Sequence, residues 1–437
     1  MRHIFLIICF FALIFFAPHP VFSAESDHHP VLGLSDCVRL ALDSNPDLAL
    51  AKAGQNAQAA ELSASRKDML PSLSASYSYS RQPAEPTYTV RVPENYYTYG
   101  FTIEQPIFKG KALITTVEKN RLALQASQAG VARAKNDVIL AVHEAYFSLL
   151  RAEKLADETK QAVERLEGHR KDAENFHAVG LISRNDLLAN EVELAQGKQN
   201  VLKAGNLLKM AASRLNLLMK RPVTTPISLE DRFTDDIALP SWDTVLAEAL
   251  AARPELQQAR LDTASADADI VLARARFLPE VSLVATYLKR GDSPAADFYP
   301  IGPAEQTTAG AVAKWKFWSW GQSFDRVDAA KYRLTQNQAR LNKTIDAITL
   351  DARQAYLDVE EAHANIGVAK AAVGQAEENY RINHERYLAQ VATNTEVLDA
   401  LTLLAQARLN FYNALYGQNL AMATLQWASA TLDKISP

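Results

Sequence analysis

Apolar residues recur every seven positions along three stretches of the chain. Val117, Leu124, Val131, Val138 and Ala145 form one series, and Leu187, Leu194, Val201, Leu208 and Leu215 a second. Leu334, Leu341, Ile348, Ala355, Ala362, Ala369 and Ala376 form the third. Seven residues fall slightly short of two helical turns, so a seam held to that spacing makes helices coil about one another. No proline interrupts the chain from about Ala112 to Ala178 or from about Gln322 to Ala389. At 1.5 Å per residue each such helix extends about 100 Å, well beyond a globular helix. The pattern predicts long helices at about 112–178, 184–217, 322–388 and 394–430.

Four other segments alternate with period two. Leu73, Ala75, Tyr77 and Tyr79 oppose Ser74, Ser76, Ser78 and Ser80, and Tyr97, Tyr99, Phe101 and Ile103 oppose Thr98, Gly100, Thr102 and Glu104. Val281, Leu283, Ala285 and Tyr287 share a third face, although Val284 and Leu288 spoil its reverse. Ala309, Ala311, Ala313, Trp315 and Phe317 oppose Gly310, Val312, Lys314 and Lys316. Strands are predicted at about 72–81, 96–105, 280–289 and 308–317, joined in pairs by proline-bearing loops from Arg81 to Asn95 and from Gly291 to Thr307. Segments of about ten residues with apolar, polar and aromatic positions in this order suit an outer-membrane barrel. They suit a half-buried hairpin of a soluble domain equally well.

The chain is written twice. Asn45-Pro46-Asp47-Leu48 returns as Arg253-Pro254-Glu255-Leu256, and Leu70-Pro71-Ser72-Leu73 as Leu278-Pro279-Glu280-Val281. Phe108-Lys109-Gly110 is echoed by Ser319-Trp320-Gly321, Glu144-Ala145-Tyr146 by Gln354-Ala355-Tyr356, and Asn185-Asp186-Leu187-Leu188 by Thr395-Glu396-Val397-Leu398. Five landmarks in constant order give two repeats, 25–241 and 242–437, of one fold. Each opens with a short helix and then a longer one. Pro46 and Pro254 suit its first position, where a missing N–H costs nothing, and Pro71 and Pro279 forbid its continuation.

The first residues resemble an export signal, placed at 1–24. Arg2 and His3 precede the apolar run Ile4 to Ala17, and cleavage is expected after Ser23 or Ala24. Cys9 lies inside that run without a small residue before it, which argues against lipidation, and Cys37 is expected to be a small buried side chain. Nothing in the balance of 46 basic and 50 acidic residues points to nucleic acid, which calls for a concentrated basic face. The sequence has no phosphate loop, no H-E-x-x-H and no nucleophile elbow, so neither enzyme chemistry nor a cofactor is expected. His169 and His177, eight apart on a long helix, are read as solvated side chains.

Four strands cannot close a membrane barrel, whose smallest forms have eight, and open edges cannot face lipid. If the strands enter a membrane, several chains must share one barrel. The tips Val179 to Asp186 and Arg386 to Ala400, the Asn-Pro-Asp-Leu and Arg-Pro-Glu-Leu helix starts and the Leu-Pro strand entries resemble the TolC-like outer-membrane efflux family, over about Leu34 to Ala430. The resemblance implies a mainly α fold with transmembrane β: two repeats, each with two long coiled helices, two shorter helices and a two-strand hairpin. It implies a homotrimer whose twelve-stranded barrel sits in outer-membrane lipid and continues as a periplasmic helical barrel, with Trp427 and Met219 to Pro240 near the equator. It implies, as partners, a membrane-fusion adaptor and an inner-membrane pump, driven by protons or by ATP.

Site residues follow from the same resemblance. Glu396 and Asp399 correspond to acids that ring the narrow mouth, where three copies would favour cations. Thr393 to Glu396 is also a capping box, and on sequence grounds the cap outweighs the gate for Glu396 but not for Asp399. Tyr387 and Asp186 correspond to a closed-state link, although Ala392 stands where the family often has a basic residue, and a surface tyrosine and a cap acid suit the two positions equally well. Val179, Gly180, Leu181, Ser183, Val391 and Thr393 are the adaptor-docking candidates. Trp315, Trp318 and Trp320 suit an aromatic belt at the inner interface, and suit packing against the equatorial helices nearly as well. Two rival readings are a periplasmic adaptor and a coiled-coil scaffold.

Overall fold

A computed structural model describes residues 31–82, 94–231, 239–299 and 302–432. The expected signal segment, the middle of the first proline-bearing loop and part of Met219 to Pro240 lie outside these residues. The elements in chain order are β1 (Val31–Leu32), α1 (Leu34–Ser44), α2 (Pro46–Lys67), β2 (Ser72–Arg81), β3 (Asn95–Lys109), α3 (Ala112–Ala178) and α4 (Arg184–Leu218). They continue with β4 (Ser228–Leu229), α5 (Trp242–Ala252), α6 (Pro254–Ala275), β5 (Glu280–Gly291), β6 (Glu305–Lys314), α7 (Gln322–Leu388) and α8 (Asn394–Ala428). Strand–helix–helix–strand–strand–helix–helix is thus followed by the same order.

The long helices begin and end close to where the proline-free runs and caps place them. All the residues of the three seven-spaced series are buried or half-buried, as a coiled seam requires. Among the described residues no helix is long and apolar enough to cross a membrane. α3 pairs with α4 and α7 with α8, while α6 lies between α3 and α7. Each 35-residue helix is extended by a 22-residue helix of the same repeat. At the first joint Ser44 Oγ donates to Met219 O across 3.2 Å. At the second, the buried Arg253 donates to Ala428 O across 3.4 Å and stacks 4.2 Å above the Trp427 ring. There the cation answers the negative end of α8.

The core gathers at this equator. Cys37, Val38 and Ala41 of α1 pack on Ile139, Val142, Tyr146 and Leu150 of α3 and on Leu215 of α4. Val245 and Ala249 of α5 pack likewise on Ile348, Ala352 and Val359 of α7. Trp427 touches both clusters and donates to Asp137. Cys37 is buried, as expected. The sequence carried no sign of the parallel pair β1–β4, which lies against this core.

The main sheet has the order β2-β3-β5-β6, every neighbour antiparallel. Register aligns Leu73, Ile103, Ala285 and Ala309 on one face, and Ser74, Thr102, Thr286 and Thr308 on the other. The apolar face is open: Leu73 is 78% and Phe101 55% exposed. Among the described residues β2 and β6 each lack a second neighbour.

Three expectations need correction. The fourth strand occupies Glu305–Lys314 and not 308–317, because its partner β5 starts at Glu280, opposite Lys314, and leaves Trp315 and Phe317 nothing to pair with. β3 runs on to Lys109 through a bulge at Pro106 to Phe108, where proline has no N–H to give the ladder. Gly110 and Trp320, not Gly110 and Gly321, take equivalent places, since each stands two residues before its long helix with positive φ.

Candidate functional site

The site is built where the two hairpins turn. α3 and α7 end in the same geometry. Gly180 (φ 79°) donates to His177 O and Leu181 to Phe176 O, each at 2.9 Å. Gln390 (φ 62°) donates to Tyr387 O and Val391 to Arg386 O, again at 2.9 Å. This is a Schellman stop, which wants glycine at the left-handed position. The first tip has it and the second does not. Gln390→Gly is therefore expected to stabilise the protein by about 0.5–1 kcal/mol, read as a higher urea midpoint of the helical circular-dichroism signal.

Both return helices open on a capping box. Ser183 N–H donates to Asp186 Oδ2 (3.2 Å) and Asp186 N–H to Ser183 Oγ (3.2 Å). Thr393 N–H donates to Glu396 Oε2 (2.6 Å) and Glu396 N–H to Thr393 Oγ1 (3.3 Å). The hydrogen bonds from Thr393 hold the Glu396 carboxyl below its ordinary range. Asp399, one turn on, is exposed and has no hydrogen bond or ion pair among the described residues. Val179, Gly180, Leu181, Ser183, Val391 and Thr393 are all exposed.

Between the tips lies a buried polar cluster. His169, of α3, is 1% exposed, and its Nε2 donates to Asn394 Oδ1 across 2.8 Å. Asn190 of α4 donates to the same oxygen at 2.9 Å, and Asn394 Nδ2 donates to Asp186 O at 3.3 Å. Asn394 thus ties α8 to both helices of the other hairpin. His169 is not a solvated side chain; burial holds it below its ordinary pKa, against the bond to Asn394. A signal was present in the sequence. His169 stands three residues after Leu166 and four before the buried Ala173, the spacing of a coiled seam.

Tyr387 packs against His169 and Phe176, with ring centroids 4.8 and 5.3 Å away. It is 2% exposed, and its hydroxyl has no hydrogen-bond partner among the described residues. Burial, then the carboxylates of Asp172 and Asp186, raise its pKa. The structure brings Tyr387 and Asp186 to one cluster without a hydrogen bond between their side chains. Trp315, Trp318 and Trp320 lie just past β6, all exposed.

The tips, the sheet and the repeated order meet known proteins together. The profile of outer membrane efflux proteins matches residues 37–219 and 245–431. The chain is similar to the outer membrane protein TolC of Escherichia coli (strain K12), with 23% identity over 409 residues, 90% of this chain and 80% of that one. It is similar to the alkaline protease secretion protein AprF of Pseudomonas aeruginosa, with 23% identity over 418 residues, 92% and 85% of the two chains. Among solved structures, the Campylobacter jejuni CmeC outer membrane channel superposes with a TM-score of 0.77 at 20% identity, over 91% of this chain and 86% of that one. These matches do not favour the adaptor or scaffold readings. With both halves of the chain matched, the protein belongs to the outer membrane efflux protein family: it is an efflux or secretion channel of the outer membrane and not an enzyme.

Proposed function

We propose that three copies of this chain form one exit duct, in which the two repeats 25–241 and 242–437 of each copy build alternate parts of the wall. The observation that carries this reading is a four-stranded sheet with two free edges and an open apolar face. A free edge in lipid leaves backbone groups unpaired at several kcal/mol each, so β6 of one copy pairs with β2 of the next until the sheet closes. Three copies then supply twelve strands, four from each. The aromatic side chains Tyr77, Tyr79, Tyr97 and Tyr99 lie on the apolar face and meet lipid at one rim, and Trp315, Trp318 and Trp320 at the other. The helices continue the duct through the periplasm.

In this duct the mouth lies at the hairpin tips. Asp399, with Glu396 beside it, supplies the acidic ring, and Tyr387 with Asp186 holds the closed mouth. Val179, Gly180, Leu181, Ser183, Val391 and Thr393 meet a periplasmic adaptor, which joins the duct to an inner-membrane pump. With no nucleotide site in the chain, the pump provides the energy. The reading is tested by purified protein on an unboiled gel and in planar bilayers. A heat-sensitive trimer that forms cation-preferring pores is expected; a monomer that forms none would defeat it. Glu396→Gln with Asp399→Asn is expected to reduce the cation preference severalfold. Tyr387→Ala, which removes the ring packed on His169 and Phe176, is expected to raise conductance, and an unchanged conductance would remove Tyr387 from the closed-state link.

A further inference from the structure

At the junction of sheet and helices the structure holds a cleft of about 660 Å³ in which cations are gathered. Register sets Lys109 of β3 opposite Glu280 of β5, and Glu280 opposite Lys314 of β6, so all three side chains share the polar face of the sheet. Arg276 and Lys316 line the same cleft from either side. Four cations thus face one carboxylate. None of the four has an ion pair or a side-chain hydrogen bond among the described residues.

The backbone adds charge of the same sign. α3 and α7 both begin here, Ala112, Gln322 and Ser323 lining the cleft, and neither helix start has a side-chain cap. Their positive ends point at the cleft. The carbonyl end of α6 opposes them, and Arg276 stands at that end. The walls are held close: Gly110 has φ 58°, and a Cβ there would lie 2.5 Å from Ala275 O. Leu272 and Leu278 supply an apolar lining, which strengthens the interaction of the cations with a ligand.

We infer that this cleft binds a phosphate-class oxyanion, one per protomer. Several ammonium groups and one guanidinium fork suit a compact, multiply charged ligand with many acceptor oxygens. The binding itself needs only one chain. Its place on the conduction path rests on the duct proposed above, in which the polar face is the lumen and three such clefts form a cationic belt far from the acidic mouth.

The probe is inorganic pyrophosphate, titrated calorimetrically into the purified full chain in detergent at low salt. Saturable binding that weakens steeply as salt rises is expected. In Lys314→Gln/Lys316→Gln, two exposed positions, affinity is expected to fall about tenfold or more. No binding to the wild type, or equal binding to the variant, would overturn the inference. Nanodiscs separate two sources of the same chemistry. If the natural ligand is a solute, pyrophosphate binds equally in phosphatidylcholine and phosphatidylglycerol; if it is a lipid headgroup, phosphatidylglycerol suppresses the binding. Pore formation is recorded on the same samples. Pores with equal pyrophosphate sensitivity in wild type and variant would remove the site and leave the duct, whereas binding without pores would remove the duct and leave the site.

Discussion

Glu158→Gln is expected to destabilise the protein by about 3 kcal/mol, because it strips the charge from a buried carboxylate that two guanidinium groups share. Glu158 of α3 is 3% exposed. Arg165, seven residues along the same helix, pairs with one of its oxygens, and Arg408 of α8 lies 3.3 Å from the other. Arg408 also reaches Glu377 of α7 at 2.8 Å. One carboxylate therefore joins the two hairpins, and its neutral amide leaves Arg165 half-buried without a counter-ion. The urea midpoint of the detergent-purified protein reads the loss. Glu377→Gln is the matched control: that carboxylate is half-exposed to water, and its loss is expected to cost less than about 1 kcal/mol. Equal losses in the two variants would show that burial does not set the cost.

Acid is expected to weaken the equatorial core through His143. This imidazole of α3 is 8% exposed, its Nε2 has no hydrogen-bond partner among the described residues, and burial lowers its pKa from 6.5 to about 4. Above pH 6.5 the ring is neutral in the folded and the unfolded chain, and stability does not depend on it. Below 6.5 the unfolded chain takes up a proton that the folded chain refuses, so stability falls with pH until the folded ring also charges near pH 4. The loss reaches about 3 kcal/mol. His143→Leu, which keeps the site apolar, is expected to flatten this limb between pH 7.5 and 4.5. An unchanged slope in the variant would assign the acid sensitivity to carboxylates.

Much of the fold was legible because it is periodic. The proline-free runs set both ends of α3 and α7, and the seven-residue spacing with the caps set those of α4, to within a residue of those observed, and the start of α8 as closely. Pro46 and Pro254 fixed the helix starts beside the equator. What escaped had no period or depended on a partner. Trp315 and Phe317 continue the alternation of β6 beyond the point where β5 stops, and only the register reveals that stop. β1 and β4 have two residues each, too few for any pattern. His169 was misjudged because a histidine in a coiled seam looks polar until its neighbours on three other helices are known. The left-handed geometry that Gln390 adopts, in the place Gly180 takes in the first tip, left no mark in the sequence.

The unpaired borders of the sheet also constrain how the protein is made. A newly exported copy carries two rows of peptide groups and an oily flank with nothing to cover them. It can neither rest in the bilayer alone nor linger safely in the periplasm, where the same borders would recruit the wrong strands. In the duct proposed above, seating in the membrane and joining of copies would then be one event, whose rate climbs steeply with the number of copies waiting.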